Sequence, residues 1–227
     1  MSRDDDAYTF DERLPINPIQ AGSTVFVSGE GFSSATDLAR SMVVDSTAEE
    51  EGSLFISTNQ TCGKLLDNCR RTRPGLDASR MGIIDCTGQD IGQAELAAQV
   101  RYVSTQSDLT GIGMKFSALY ESLYASAEGG RVRTGLLSLS SLCMYVDLRK
   151  LFRFAQTLSG RIDSAGGLGV MLIDPTTHET QTINTLSQVA DGKIEVREHD
   201  GDGAEYDGEL RVRGLRDQPD GWVPFSL

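Results

Sequence analysis

Lysine is nearly missing from this chain of 227 residues. It occurs only as Lys64, Lys115, Lys150 and Lys193, and arginine supplies the rest of the 21 basic residues. Against 33 acidic residues this leaves a net charge of -12 and an isoelectric point near 4.6. No basic stripe with interleaved aromatics occurs, which argues against nucleic acid as a partner. Cysteine is equally sparse. Cys62, Cys69, Cys86 and Cys143 form no C-x-x-C pair, and only His178 and His199 could join them, so no tetrahedral zinc site emerges and no metal is expected. No apolar run reaches membrane-spanning length, and the start, Arg3-Asp4-Asp5-Asp6, is too polar for a signal-peptide core. The expectation is a cytoplasmic protein with reduced thiols and no membrane contact. Many acids, few lysines and a modest apolar fraction suit a chain kept soluble at high salt.

What is present is an alternation of short apolar runs with helical periodicity. Residues 1–20 read as a polar, proline-punctuated lead-in, and residues 21–227 as a single domain. Strands are expected at 24–28, 54–57, 81–86, 133–139 and 168–174, with 99–103 as a minor strand. Helices are expected from Thr36, from about Thr61 to before Pro74, after a glycine-bearing turn at 108–113, from Asp147 to the Gly166-Gly167 pair, and around 179–190. The helix after 113 carries Phe116, Leu119, Tyr120, Leu123 and Tyr124 at helical spacing, an aromatic stripe that reads as core or interface. The acids Glu49-Glu50-Glu51 with Gly52 read as the end of the first helix. Residues 193–198 and 206–213 alternate like a hairpin about the loop 199–203, and the tail through Trp222 and Phe225 reads as an edge segment. Strands alternating with helices specify an α/β fold: a mainly parallel sheet with helices on both faces and a C-terminal antiparallel hairpin. Right-handed crossovers then place the loops after Ser28, Ser57, Asp85, Ser138 and Asp174 along one edge.

The first strand, Thr24-Val25-Phe26-Val27-Ser28, runs into Gly29-Glu30-Gly31-Phe32-Ser33-Ser34-Ala35-Thr36. This is the strand–loop–helix setting of the phosphate-binding pattern G-x-x-x-x-G-K-[ST]. Gly29 and Thr36 match it, Ser34 stands at the second glycine and Ala35 at the lysine. If a nucleotide binds, Gly29, Gly31, Ser33, Ser34 and Thr36 are the residues to hold it, through backbone amides at a helix N-terminus and the Thr36 hydroxyl. As a tight turn kept for packing, the same loop needs Gly29 and Gly31 only for their backbone freedom. Phosphoryl transfer also needs a magnesium-binding carboxylate and a group that aims the nucleophile. Residues 132–146 contain no acid, and neither do residues 54–66. Asp85, Asp147 and Asp174 are the carboxylates left near the active edge. His178 reads as a surface cap, and Ser138-Leu139-Ser140-Ser141 has no neighbouring histidine to make a nucleophile of a serine.

The layout resembles the RecA-superfamily ATPase core, most closely the single-domain KaiC-like and RadA-like proteins of halophilic archaea. The resemblance is carried by residues 25–29 into Thr36, by Leu54-Phe55-Ile56-Ser57-Thr58-Asn59, by Leu136-Leu137-Ser138-Leu139-Ser140-Ser141-Leu142 and by Val170-Met171-Leu172-Ile173-Asp174. It spans roughly residues 16–213 as a pattern of elements. In that family the first segment is the P-loop, the second ends in a catalytic glutamate and the third closes on an aspartate. Here those positions hold Ala35 for the lysine, Thr58 or Asn59 for the glutamate and Leu137 for the aspartate. The resemblance implies the fold, assembly with other proteins, copies of itself included, and regulatory or adaptor roles. The expectation is therefore a pseudo-ATPase: no catalytic residues, no cofactor beyond weak ATP binding, and a function exerted through protein contacts, with a homo-oligomer among the assemblies. Two alternatives stand beside it, an ATP-binding switch that does not hydrolyse, and an accessory factor for DNA recombination or partitioning.

Overall fold

The structure, a computed structural model, describes residues 7–29, 34–44, 51–88, 97–127, 130–198 and 206–227. In chain order the elements are β1 (Ala7–Tyr8), β2 (Ile19–Gln20), β3 (Thr24–Ser28), α1 (Ser34–Val44), β4 (Gly52–Ser57), α2 (Cys62–Thr72), β5 (Met81–Asp85), β6 (Gln99–Tyr102) and α3 (Leu109–Ser126). There follow β7 (Val132–Leu136), α4 (Leu139–Tyr145), α5 (Leu148–Ser164), β8 (Leu168–Ile173), α6 (Thr180–Ser187), β9 (Gly192–Arg197), β10 (Gly208–Arg213) and β11 (Val223–Phe225). Among the described residues the main sheet has nine strands in the order β11-β10-β9-β3-β8-β7-β4-β5-β6. Every pairing from β9 to β6 is parallel, while β10 runs antiparallel to both β9 and β11. This is the mainly parallel α/β sheet with an antiparallel C-terminal end that the sequence implies. No helix among the described residues is long and apolar enough to cross a membrane.

A strand buried on both faces must be apolar at every position, and its side chains alternate between the two layers. Along β8, Leu168, Val170 and Leu172 face the layer that holds α1 and α2, whereas Met171 and Ile173 face the layer of α3 to α6. Phe26 on β3 and Phe55 on β4 are likewise sent to opposite layers. Close approach of α1 to the sheet is allowed by Gly135 on β7, where a methyl group would sit 3.0 Å from both Phe55 and Val43. Helix α5 ends where Gly166 turns to φ +65, a left-handed value that costs glycine little.

Local expectations are corrected in three places. Residues 109–113 are not a turn but the first turns of α3, because the Asp108 carboxylate caps the helix by accepting from the Gly111 amide at 2.8 Å. The strand expected over 133–139 stops at Leu136, and residues 139–145 form α4. There the Ser138 hydroxyl accepts from the Ser141 amide and closes the helix N-terminus. Helix α1 opens at Ser34, two residues before Thr36. The aromatic stripe of α3 is core through Phe116 and Tyr120, with Tyr124 left exposed. The hairpin loop 199–203 lies outside the described residues.

Glu51 is not a solvated acid at a helix end. It is buried and joins Arg131 (2.8 Å) and Arg133 (2.5 Å), the latter with no exposed surface at all. Arg133 also donates to the carbonyls of Met42 and Thr9, and Arg131 to that of Ala7, so the pair fastens the lead-in to the N-terminal edge of the sheet. Tyr8 lies beneath the Arg131 guanidinium at 4.1 Å and donates its hydroxyl to the Gly166 carbonyl. Burial pushes the Tyr8 phenol up to about 12, so it stays protonated as a donor.

Removing Arg133 leaves Glu51 buried without its main partner. Arg133→Ala is expected to lower unfolding free energy by about 3–5 kcal/mol in urea titrations, whereas Arg13→Ala, which loses an exposed pair with Asp11, changes it by about 0–1 kcal/mol. Burial likewise pushes the Cys69 and Cys86 thiols up to about 12, so the reactive thiolate is scarce at neutral pH. Half-buried Cys143 is therefore expected to label first with a thiol reagent at pH 8, with Cys69 and Cys86 silent until unfolding, as read by mass spectrometry.

Candidate functional site

Because the parallel strands share one direction, the segments after β3, β4, β7 and β8 all emerge at one edge, as the crossover rule requires. They enclose a cavity of about 490 Å³. Gly29 and Thr36 come from the β3–α1 segment, Asn59 and Gln60 from the end of β4, Leu137 to Met144 from the end of β7 and α4, and Leu172 to His178 from β8 and beyond. Positions separated by more than a hundred residues in sequence thus meet here, among them Thr36, Asn59, Leu137 and Asp174.

The geometry of the loop is set by packing. Gly29 donates to the Ile173 carbonyl at 3.4 Å, and a methyl group on it would fall 2.5 Å from the Ala35 methyl and 3.1 Å from Val196. Ala35 is fully buried in the first turn of α1. The Ser34 hydroxyl is buried with no hydrogen-bond partner among the described residues. Thr36, half-buried, borders both this cavity and a neighbouring polar cleft of about 690 Å³. That cleft is lined by Arg13, Arg40, Lys64 and Arg71 as well as Asp37, Glu198 and Asp207. Gly31 and Ser33 lie outside the described residues.

The apolar part of the cavity lining is Leu137 and Leu172, with the exposed Met144 at its mouth. Its serines are turned to local work. Ser138 and Ser141 share a hydroxyl–hydroxyl bond of 2.7 Å, and the Ser140 hydroxyl accepts from the Asp174 amide. Thr58 donates to the Ser138 carbonyl at 3.1 Å, tying the end of β4 to the end of β7. Of the remaining carboxylates, Asp85 is fully buried and accepts from the Cys62 amide (2.7 Å) and from the amide and hydroxyl of Thr87. Asp147 caps α5, away from the cavity lining. Asp174 lines the cavity, and its carboxylate accepts from the amide and hydroxyl of Thr176.

His178 departs from its expected place as a surface cap. Glu179 holds the N-cap position of α6, while His178 is a half-buried lining residue whose Nε2 is shielded from solvent and without a hydrogen-bond partner among the described residues. Helix α4, which brings Met144 to the cavity mouth, was also missed by pattern. The signal that could have found it is Ser138 itself, an N-cap residue type standing directly before the helix. No sequence signal marks Leu172 as a lining residue rather than core.

A protein-family model described as a family of unknown function (DUF7504) matches residues 22–196. The chain belongs to that family. The match takes in β3 to β8, all but the last residue of β9 and helices α1 to α6, and so contains the cavity lining among the described residues. No curated protein matches the sequence. Among solved structures the chain is similar to the KaiC-like protein PH0186 from the hyperthermophilic archaeon Pyrococcus horikoshii OT3. The TM-score is 0.62 at 14% identity, over 92% of this chain and 86% of that one. The DUF7504 chain therefore has a RecA-like α/β fold of the KaiC kind.

Gly29→Ala is expected to destabilise the chain by about 1–3 kcal/mol, because the added methyl overlaps Ala35 and neither backbone can retreat. A lowered melting temperature, with unchanged far-ultraviolet circular dichroism at 20 °C, would check it.

Proposed function

We propose that this chain is a catalytically silent KaiC-like domain that serves as a regulatory or adaptor module through protein contacts, in a salt-rich cytoplasm. Leu137 carries the proposal. It lines the same cavity as Thr36, at the position where the resembled ATPases place a magnesium-binding carboxylate, and an aliphatic side chain can hold no divalent cation. Ala35 in place of lysine forfeits a charge-assisted contact of roughly 1.5–3 kcal/mol. Neither Thr58 nor Asn59, one of which stands in place of the glutamate, can act as the base that takes a proton. Each missing electrostatic group typically costs about 10²–10³ in rate, so the three together leave no useful turnover. Magnesium-dependent hydrolysis does not fit these residues. The exposed Met144 and Tyr145 beside the cavity, 78% and 55% accessible, supply apolar surface of the kind protein partners cover.

The polar cleft favours a second reading, a switch that binds ATP weakly without hydrolysing it. Four basic side chains line that cleft, and it shares Thr36 with the cavity. Their field is offset by Asp37, which pairs with Arg40 at 2.5 Å, and by Glu198 and Asp207.

Calorimetry with Mg·ATP in molar salt separates the two. The adaptor reading expects neither heat nor protection against unfolding, and it expects Ala35→Lys alone to leave phosphate release at background. Saturable binding without turnover would favour the switch. Phosphate release by the unmodified chain would overturn both.

A further inference from the structure

We infer that the corner between α4 and α5 is a docking surface for an acidic segment of another protein that carries an apolar anchor. The inference rests on the adaptor half of the reading above, to which it adds the chemistry of the partner. Helix α4 ends at Tyr145 and α5 begins at Leu148, so the last residues of one adjoin the first turn of the other. Met144 and Tyr145 are exposed there, and Arg149, Lys150 and Arg153 are exposed beside them. A flexible thioether and an amphipathic ring are side chains that protein interfaces favour at their centre.

Charge is the unusual part. In a chain of net charge -12, three bases fall within little more than one turn of α5. Elsewhere arginines have acidic partners, as Arg131 and Arg133 have in Glu51, Arg197 in Glu209 and Arg211 in Glu195. Among the described residues the side chains of Arg149, Lys150 and Arg153 enter no hydrogen bond or ion pair. The adjacent acid, Asp147, accepts from the Arg149 backbone amide at 3.0 Å as the cap of α5.

The placement of these bases also works against the helix. The first turn of α5 holds no acid, although the dipole favours negative charge there, and carries Arg149 and Lys150 instead. Arg149 and Arg153 are four apart, a like-charge pair on one helix face. Side chains that break local rules with no compensation inside the chain mark functional positions. An acidic partner supplies that compensation. Its carboxylates meet the unpaired cations near the positive end of the helix, and its apolar side chain covers Met144 and Tyr145. A lipid surface does not fit, because the apolar stripe of α5, Leu151, Ala155, Leu158 and Ile162, is already buried in the core. Nucleic acid would meet the field of a strongly acidic chain and leave Met144 without a contact.

Fluorescence anisotropy of the full chain in molar salt tests this. The probes are the labelled peptides Asp-Glu-Leu-Phe-Asp-Glu, Asp-Glu-Gly-Ser-Asp-Glu and Lys-Arg-Leu-Phe-Lys-Arg, and a labelled oligothymidylate. At that salt, contact pairs persist while longer-range attraction is screened. The first peptide should bind roughly tenfold or more tightly than each of the other probes. Arg149→Glu should weaken it by roughly tenfold or more. The same variant should raise the melting temperature, since a carboxylate then stands in the first turn and faces Arg153. Met144→Ser, at an exposed position, should weaken the peptide and leave the melting temperature unchanged. No saturable binding of the first peptide, equal binding of a control peptide, or full affinity in Arg149→Glu would overturn the inference. So would tighter binding of the oligothymidylate, which gives the corner to nucleic acid, or a dimer in light scattering that Met144→Ser dissolves, which gives it to a second copy. Mg·ATP turnover with peptide binding intact would overturn catalytic silence and leave the docking surface standing. Silence towards ATP with no peptide binding would overturn the docking surface only.

Discussion

Strand β3 lies between β8 and β9 in parallel register, and the placement of the site depends on that seam. Its last residue pairs with Ile173 and Glu195, so the chain leaves the sheet at Gly29 with backbone pressed against Ile173 and Val196. Only a residue without a side chain passes there, and α1 can then return with the Ala35 methyl against it. Parallel pairing also forces each connection to cross over and brings the ends of β4, β7 and β8 to the same edge. The cavity is a consequence of topology. Its chemistry is a matter of which side chains the sequence delivers there.

A different interaction holds the other edge. Arg133 is buried entirely and is tolerated because Glu51 and two carbonyls take up its N–H groups, with Tyr8 and Phe10 against its face. Such a cluster carries a large desolvation cost, and its worth lies in specificity as much as stability. It couples the segment before β4, the start of β7 and the lead-in. Burial acts to lower the Arg133 pKa and the Glu51 carboxylate acts against it, a balance that requires the pair to stay together. The apolar, carboxylate-poor cavity lies at one edge of the sheet and this charged clasp at the other.

Much of the architecture was legible in the chain. Strands buried on both faces need unbroken apolar runs, and 24–28, 81–85 and 168–173 carry them; α5 announces itself by Asp147 at its cap and Leu151, Ala155, Leu158 and Ile162 at helical spacing. The misreadings have a common cause. Leu137-Ser138-Leu139-Ser140 alternates as a strand does, yet the Ser138 hydroxyl turns that alternation into a helix start. Gly111 and Gly113 weaken helical propensity, yet the Asp108 cap outweighs them. In each case one side-chain hydrogen bond to the backbone overrode the local pattern.

Residue types and their order determined by themselves that this is a mainly parallel α/β chain and that its loops share an edge. These follow from short-range periodicity and from the handedness of crossovers, which any window of sequence displays. Tertiary structure alone decided that Glu51 is a buried partner rather than a solvated acid, that Asp85 is occupied by the Cys62 amide, and that Leu172 and His178 border one cavity with Gly29 and Asn59. Those facts depend on contacts between segments tens of residues or more apart, and no local pattern encodes which distant backbone amide or guanidinium a side chain will meet.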